Sequence, residues 1–128
     1  MPLELEDTTA ILQLYARYNT AIDTGDGETF GLCFSKDGVF EPGHATITGH
    51  ENLVEFANQT HNAMPLMRHN ATNILIDGEG SDATSSSFLI GYLAGKEYKV
   101  IVTGRYADKL SKADGQWRFT ERIFSMDQ

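Results

Sequence analysis

The sequence predicts an α+β domain, a cone-shaped, curved, mostly antiparallel β-sheet packed against three N-terminal helices. Three observations carry this. Apolar residues recur at helical spacing in the first half. The second half breaks into four long strand-like segments. The links between those segments are short and built of turn-formers, which implies an antiparallel meander rather than crossovers.

In chain order, Ile11, Leu14, Tyr15, Tyr18 and Ile22 line one face of a first helix running from about Thr9. Gln13, Arg17 and Thr20 fall opposite, and Gly25 is the expected stop. A short second helix follows from about Glu28 to Phe34, with Asp26 as N-cap. Asp37-Gly38 and Pro42-Gly43 mark turns, so Val39-Phe40-Glu41 and Ala45-Thr46-Ile47 should form a small hairpin. Thr48-Gly49-His50-Glu51 fits a capping box for a third helix, whose inner face is Leu53, Phe56, Ala57 and Thr60 and which Pro65 closes. Strands are then expected at Met67 to Ile76, Ala83 to Leu93, Tyr98 to Leu110 and Trp117 to Met126. At roughly ten residues or more they exceed the usual five or six, which suggests strong curvature. A curved sheet with helices on its open side makes a cone, and a cone makes a pocket.

The 128 residues suit one domain spanning the chain, large enough for a real core. Its 41% hydrophobic and 22% charged content is that of a soluble globular protein. The net charge of −8 and the scatter of Lys and Arg argue against nucleic acid as a partner. One cysteine, Cys33, rules out an intramolecular disulfide, and within Leu32-Cys33-Phe34 it reads as a buried small hydrophobe. The N-terminal stretch is acidic where a secretory leader is basic, and no apolar run reaches membrane-span length. The expectation is a cytoplasmic protein with no membrane partner.

Four residues are candidates for chemistry. Asp23 sits near the C-terminal end of the first helix, where the helix dipole disfavours a carboxylate. It is either functional or a shaper of the helix-to-turn junction. His69 opens the first long strand on a mixed face with Met67, Ala71, Asn73 and Leu75. It is either a pocket histidine or one satisfied by a carbonyl. Arg122 on the last strand would share a face with Arg118, Thr120 and Phe124 if that strand is regular, and an outward role is the alternative. Tyr18 belongs to the apolar stripe, either as a site group or as a core aromatic. His44, His50 and His61 fit surface roles. No metal-ligand spacing, phosphate loop or nucleophile elbow is present, so neither a metal nor a cofactor is expected.

Together, Leu14 to Asp26, Phe34 to Phe40, Met67-Arg68-His69-Asn70, Gly104 to Asp108 and Asp114 to Arg118 make the chain resemble the SnoaL-like proteins of the nuclear-transport-factor-two-like superfamily, over roughly Thr8 to Met126. That family is similar in fold to the cone read above. It includes scytalone dehydratase, bile-acid 7α-dehydratases and a lindane dehydrochlorinase. The resemblance implies that Asp23 and His69 match a helix aspartate and a histidine base. It also implies that Arg122 matches a last-strand pocket arginine, and Tyr18 the tyrosine of the bile-acid dehydratases. The acid set of the related limonene epoxide hydrolases is not evident.

The expected chemistry is a dehydratase-type elimination. Histidine can take and give a proton near neutral pH, and a carboxylate on one ring nitrogen fixes its tautomer. Asp23 would hold His69 as general base, and Tyr18 and Arg122 would polarise the substrate. Phe40, Met64, Met67, Phe88, Phe124, Phe30 and Phe56 would wall the pocket, although Phe30 and Phe56 also fit plain core. The partner expected is a small hydrophobic cyclic molecule, steroid-like, terpenoid, aromatic or polyketide. An isomerase or aldol-type cyclase, or a non-catalytic ligand-binding or scaffolding subunit, are the alternatives. By resemblance the chain should form a homodimer or homotrimer through its exposed sheet face.

Overall fold

The computed structural model describes residues 1–128. Helix α1 (Leu5–Thr24) is followed by α2 (Gly27–Leu32), β1 (Phe34–Glu41), β2 (Ile47–Thr48) and α3 (His50–Ala63). Four long strands complete the chain: β3 (Met67–Glu79), β4 (Asp82–Leu93), β5 (Lys99–Ala113) and β6 (Gln116–Met126). One six-stranded sheet runs in the order β2-β1-β6-β5-β4-β3, and only the β1–β6 pair is parallel. This is the α+β arrangement the patterns predict, with the helices on the concave side.

The helix boundaries follow local chemistry. Gly25 ends α1 in the left-handed conformation at φ 77°, which costs an L side chain about 1–2 kcal/mol. Asp26 caps α2 by accepting the Thr29 backbone N–H at 3.1 Å and the Thr29 hydroxyl at 2.7 Å. The capping box expected at Thr48 and Glu51 does not form. Thr48 is drawn into β2 opposite Val39, so α3 starts from Gly49 without a side-chain cap. The turn expected at Asp37-Gly38 instead lies inside β1, as an irregularity in its pairing with β6 between Phe34 and Val39.

Two bulges set which side chains enter the cone. In β6, Phe119 pairs with Leu110 and Glu121 with Lys109, leaving Thr120 as the extra residue. Trp117 and Phe119 point inward before it, and Arg122 after it. Arg118 and Arg122 therefore face opposite ways, contrary to the regular-strand expectation. In β3 a register shift between Thr72 and Leu75 places Asn73 at φ 54° and turns Leu75 outward, opposite exposed Ser86.

The core lies between α1 and the sheet. Ile11, Leu14, Tyr15 and Tyr18 from α1 meet Phe30, Phe34, Phe40 and Phe119. Burying each such side chain contributes about 1.5–3 kcal/mol, so this cluster dominates the fold. Cys33 is buried within it, its thiol donating to the Thr29 carbonyl.

Asp7 ties the start of α1 to the β5–β6 hairpin. It accepts from the Glu4 backbone N–H at 3.1 Å, from the Trp117 indole at 2.9 Å and from Lys112 at 3.0 Å. The indole, the backbone and Lys112 hold its carboxyl at about 2, against an ordinary 3.8. A depressed pKa means the fold favours the charged form. The contribution is complete above the ordinary value and is withdrawn as pH falls toward about 2. Asp7→Asn is expected to lower the denaturant midpoint at pH 7, and its gap to the wild type should close as the pH is taken down to about 2. Chemical denaturation across that range reads the effect.

Candidate active site

Asp23 and His69 meet. The His69 ring donates from Nδ1 to Asp23 Oδ1 at 2.6 Å, and the His69 backbone N–H donates to Asp23 Oδ2 at 2.8 Å. One carboxylate thus grips one residue twice, fixing both its backbone and its ring. Both side chains are 11% exposed. The local reason lies in the ends of two elements. Asp23 is in the last turn of α1, and His69 is the third residue of β3, on the inward side opposite Gly91. The dipole penalty on Asp23 is about 0.3–1 kcal/mol, whereas a hydrogen bond to a charged group contributes about 1.5–3 kcal/mol. Two such bonds outweigh the dipole penalty and hold the carboxylate on His69.

This arrangement assigns the tautomer. With Nδ1 donating, Nε2 carries the lone pair. Nε2 has no protein partner and is not among the sealed polar atoms, so it keeps solvent access. The imidazole is a held base with one free nitrogen.

The surroundings of the dyad are closely packed. A side chain at Gly25 would meet the His61 ring at 2.7 Å, so the end of α3 rests on the turn that follows Asp23. Asn19, one helical turn before Asp23, has a sealed Oδ1 without a partner, and so does His61 at Nδ1. Neither residue stands out in the sequence as a site group. The signal for Asn19 is its position four residues before the aspartate.

Arg122 is fully buried. Its guanidinium lies over the Tyr106 ring at 3.6 Å, Tyr18 at 4.3 Å, Phe119 at 4.5 Å and Tyr15 at 4.8 Å. Its Nε is 3.0 Å from Asp108 Oδ1, close enough for an ion pair but not aligned as a hydrogen bond. Asp108 Oδ2 accepts from Tyr15 at 2.5 Å and from Ser85 at 3.2 Å. Burial pulls the guanidinium down, but Asp108 and the phenols outweigh it and raise it. Burial also pushes Asp108 up, and Arg122, Tyr15 and Ser85 offset only part of that. These directions oppose each other, since a simple ion pair would lower the acid. The guanidinium is the charged member, because arginine keeps its proton in proteins. Asp108 is the member whose proton affinity has risen.

Tyr18 is likewise a core residue, 1% exposed and packed at a tilt against Phe30, ring centroids 4.7 Å apart. Burial raises its hydroxyl well above the usual value. Tyr18 and Arg122 therefore belong to one sealed cluster, with no surface route to a ligand. Tyr106, Asp108, Tyr15 and Ser85 complete that cluster and were not singled out from sequence. The readable signal was Asp108, a carboxylate on the inward, otherwise apolar side of β5 between Tyr106 and Leu110.

The expected wall residues divide. Phe30 and Phe40 are sealed in the core, and Phe56 and Phe124 pack against it. Met67 is buried at the start of β3, two residues before His69 on the same face, and Met64 is exposed just after α3. Phe88 is a correction. It lies on the outer face of the sheet, 48% exposed, because β4 alternates strictly and the inward positions are Ser85, Ser87 and Leu89. The five principal clefts, about 260 to 630 Å³, do not border Asp23 or His69. Of the other histidines, His44 is exposed and His50 pairs with Glu28 at 3.0 Å. No group of three or more His, Cys, Asp or Glu residues is placed to hold a metal.

A family model described as a SnoaL-like domain matches residues 3–123. A solved protein of unknown function from Mycobacterium tuberculosis is 37% identical, with a TM-score of 0.89 over 95% of this chain and 72% of its own. A Novosphingobium aromaticivorans protein provisionally described as an aromatic ring hydroxylase is 28% identical, TM-score 0.84, over 98% and 92%. A second protein of that organism, provisionally described as a scytalone dehydratase, is 21% identical, TM-score 0.84, over 97% and 86%, and speaks for the fold alone. No curated protein matches in sequence.

The geometry sets an expectation for the ring itself. At neutral pH, ¹⁵N-resolved NMR of neutral His69 should show the proton on Nδ1, and Asp23→Asn should shift the population toward the Nε2–H form. A wild-type ring protonated mainly on Nε2 would contradict the assignment.

Proposed function

This chain belongs to the SnoaL-like domain family, and we propose that it is a cofactor-independent lyase that eliminates water from a small hydrophobic cyclic substrate. The observation that carries this is the doubly held histidine with a free Nε2. Nε2 takes a proton from a carbon next to a carbonyl, and Asp23 stabilises the imidazolium that results. The electrons of the broken C–H bond form a C=C bond as the C–O bond to the neighbouring hydroxyl breaks. The imidazolium returns its proton to that hydroxyl, water leaves and His69 is neutral again. Tyr18 and Arg122 act from behind, as a caged positive charge and its aromatic shell, rather than by contact with the substrate. Met64 and Met67, on either side of the turn into β3, are the apolar side chains the reading assigns to the mouth of the site.

The provisional description of the 28%-identical Novosphingobium protein as an aromatic ring hydroxylase fits chemistry on cyclic compounds. A second reading on the same site is an isomerase, in which Nε2 returns the proton to another carbon and no leaving group departs. A third is a non-catalytic ligand-binding or scaffolding subunit, the scaffolding form of which draws on the close seat of His61 against Gly25 beside the dyad. We also propose a homodimer or homotrimer. Leu75, Phe88 and Ile90 stand exposed on the outer sheet face, with Phe88 shared between clefts of about 310 and 420 Å³.

Incubation with a panel of β-hydroxy cyclic ketones, read by product mass, tests the reaction. The expected result is loss of water, slowed about a hundredfold to ten-thousandfold by Asp23→Asn and by His69→Gln. A product of unchanged mass would indicate the isomerase. No turnover of any member, or variants as active as the wild type, would overturn the dyad's role.

A further inference from the structure

A cleft of about 630 Å³ lies outside the cone, where the solvent side of α1 meets α2 and the turn between β5 and β6. Its walls are not those of an ordinary surface groove on an acidic protein. The chain has 18 Asp and Glu against 10 Lys and Arg, yet this cleft is lined by two arginines, Arg17 and Arg118, and by no carboxylate. Gln13 and Gln116 add amide groups, Leu32 supplies exposed apolar surface, and only the edges of the buried Leu14 and Trp117 reach the floor. Leu32 is 54% exposed, an apolar side chain left in water at the rim.

The two guanidinium groups are free to receive an anion. Arg17 enters none of the five ion pairs. Arg118 donates from Nε to the Leu32 carbonyl at 3.2 Å and from one terminal nitrogen to Gln116 at 2.6 Å. Those bonds hold it against the wall and leave its other terminal nitrogen unused. The neighbouring Asp26 is occupied in capping α2, and Asp7 in holding Trp117 and Lys112. The bulge at Thr120 matters here too, because it sends Arg118 out to this cleft while Arg122 goes inward.

We propose that this cleft binds a small organic carboxylate, its head group between Arg17 and Arg118 and its apolar body on Leu32, above the edges of Leu14 and Trp117. A planar guanidinium fork matches a carboxylate in two parallel hydrogen bonds. The apolar surface beside it selects an anion with a hydrocarbon part over an inorganic ion. The net charge of −8 and the lack of a glycine-rich phosphate cradle disfavour a polyphosphate.

Trp117 is the sole tryptophan, and its indole is pinned to Asp7, so its emission reports occupancy. Octanoate is titrated into the full chain at low salt, with octanol as the uncharged control. The expected result is a saturable emission change with octanoate and none with octanol. Arg17→Ala and Arg118→Ala should each weaken binding about tenfold, and His69→Gln should leave it unchanged. Arg17 makes no contact the fold needs, so Arg17→Ala decides the matter even if Arg118→Ala perturbs the Leu32 contact. The proposal is overturned if no saturable change occurs, if octanol binds as well as octanoate, or if Arg17→Ala binds at wild-type strength. It is equally overturned if His69→Gln abolishes binding, which would move the ligand into the cone.

Discussion

The Asp23 carboxylate closes around His69 from two sides, and the arrangement of the concave face depends on that closure. The bond to the backbone N–H fixes where β3 begins relative to α1, and the bond to Nδ1 fixes how the ring is turned. These two consequences are inseparable, because the same carboxylate makes both bonds. A structural cap would need only the first. The second leaves Nε2 as the ring atom that the protein neither bonds nor seals. The close seat of His61 on Gly25 holds the helix end that carries Asp23, so the geometry is supported from α3 as well.

Arg122 shows a different economy. A guanidinium without solvent would cost several kcal/mol if left bare. Here four aromatic rings within 4.8 Å and one carboxylate at 3.0 Å take the place of water. Each cation–π contact in a dry site contributes up to about 2 kcal/mol, enough together to offset much of the desolvation. The arrangement needs the rings as much as the carboxylate. Tyr15 serves both, since its ring faces the cation while its hydroxyl donates to Asp108. The cage is therefore a structural unit that also leaves a fixed positive charge inside the cone.

Much of this was readable in the sequence, and the failures have physical causes. Helical periodicity and turn residues located the three helices and the four long strands, because burial on one face and positive-φ glycines leave marks in a linear pattern, but not the first half of β1. Asp23 was conspicuous because it breaks a helix-end rule. The pairing of Asp23 with His69 came from resemblance, since nothing in a linear pattern places residue 23 against residue 69. The bulge at Thr120 was invisible because one extra residue in a strand carries no composition signal, and it reversed the relation between Arg118 and Arg122. Phe88 reads as a pocket aromatic by residue type alone, whereas its strand parity, opposite to that of Ser85, Ser87 and Leu89, puts it on the outer face. The Thr48 cap failed because a two-residue strand claimed that threonine first.

The central claim is that His69 is a working base rather than a buried cap, and it can be tested without knowing the leaving group. The most direct measurement is the rate at which the α-protons of a fused cyclic ketone, such as 2-decalone, exchange with D₂O, followed by ¹H NMR. The account predicts that the wild-type chain accelerates exchange well above buffer and that His69→Gln returns it to the buffer rate. Exchange that is no faster with the wild type than in buffer, or that is equally fast with His69→Gln, would contradict it.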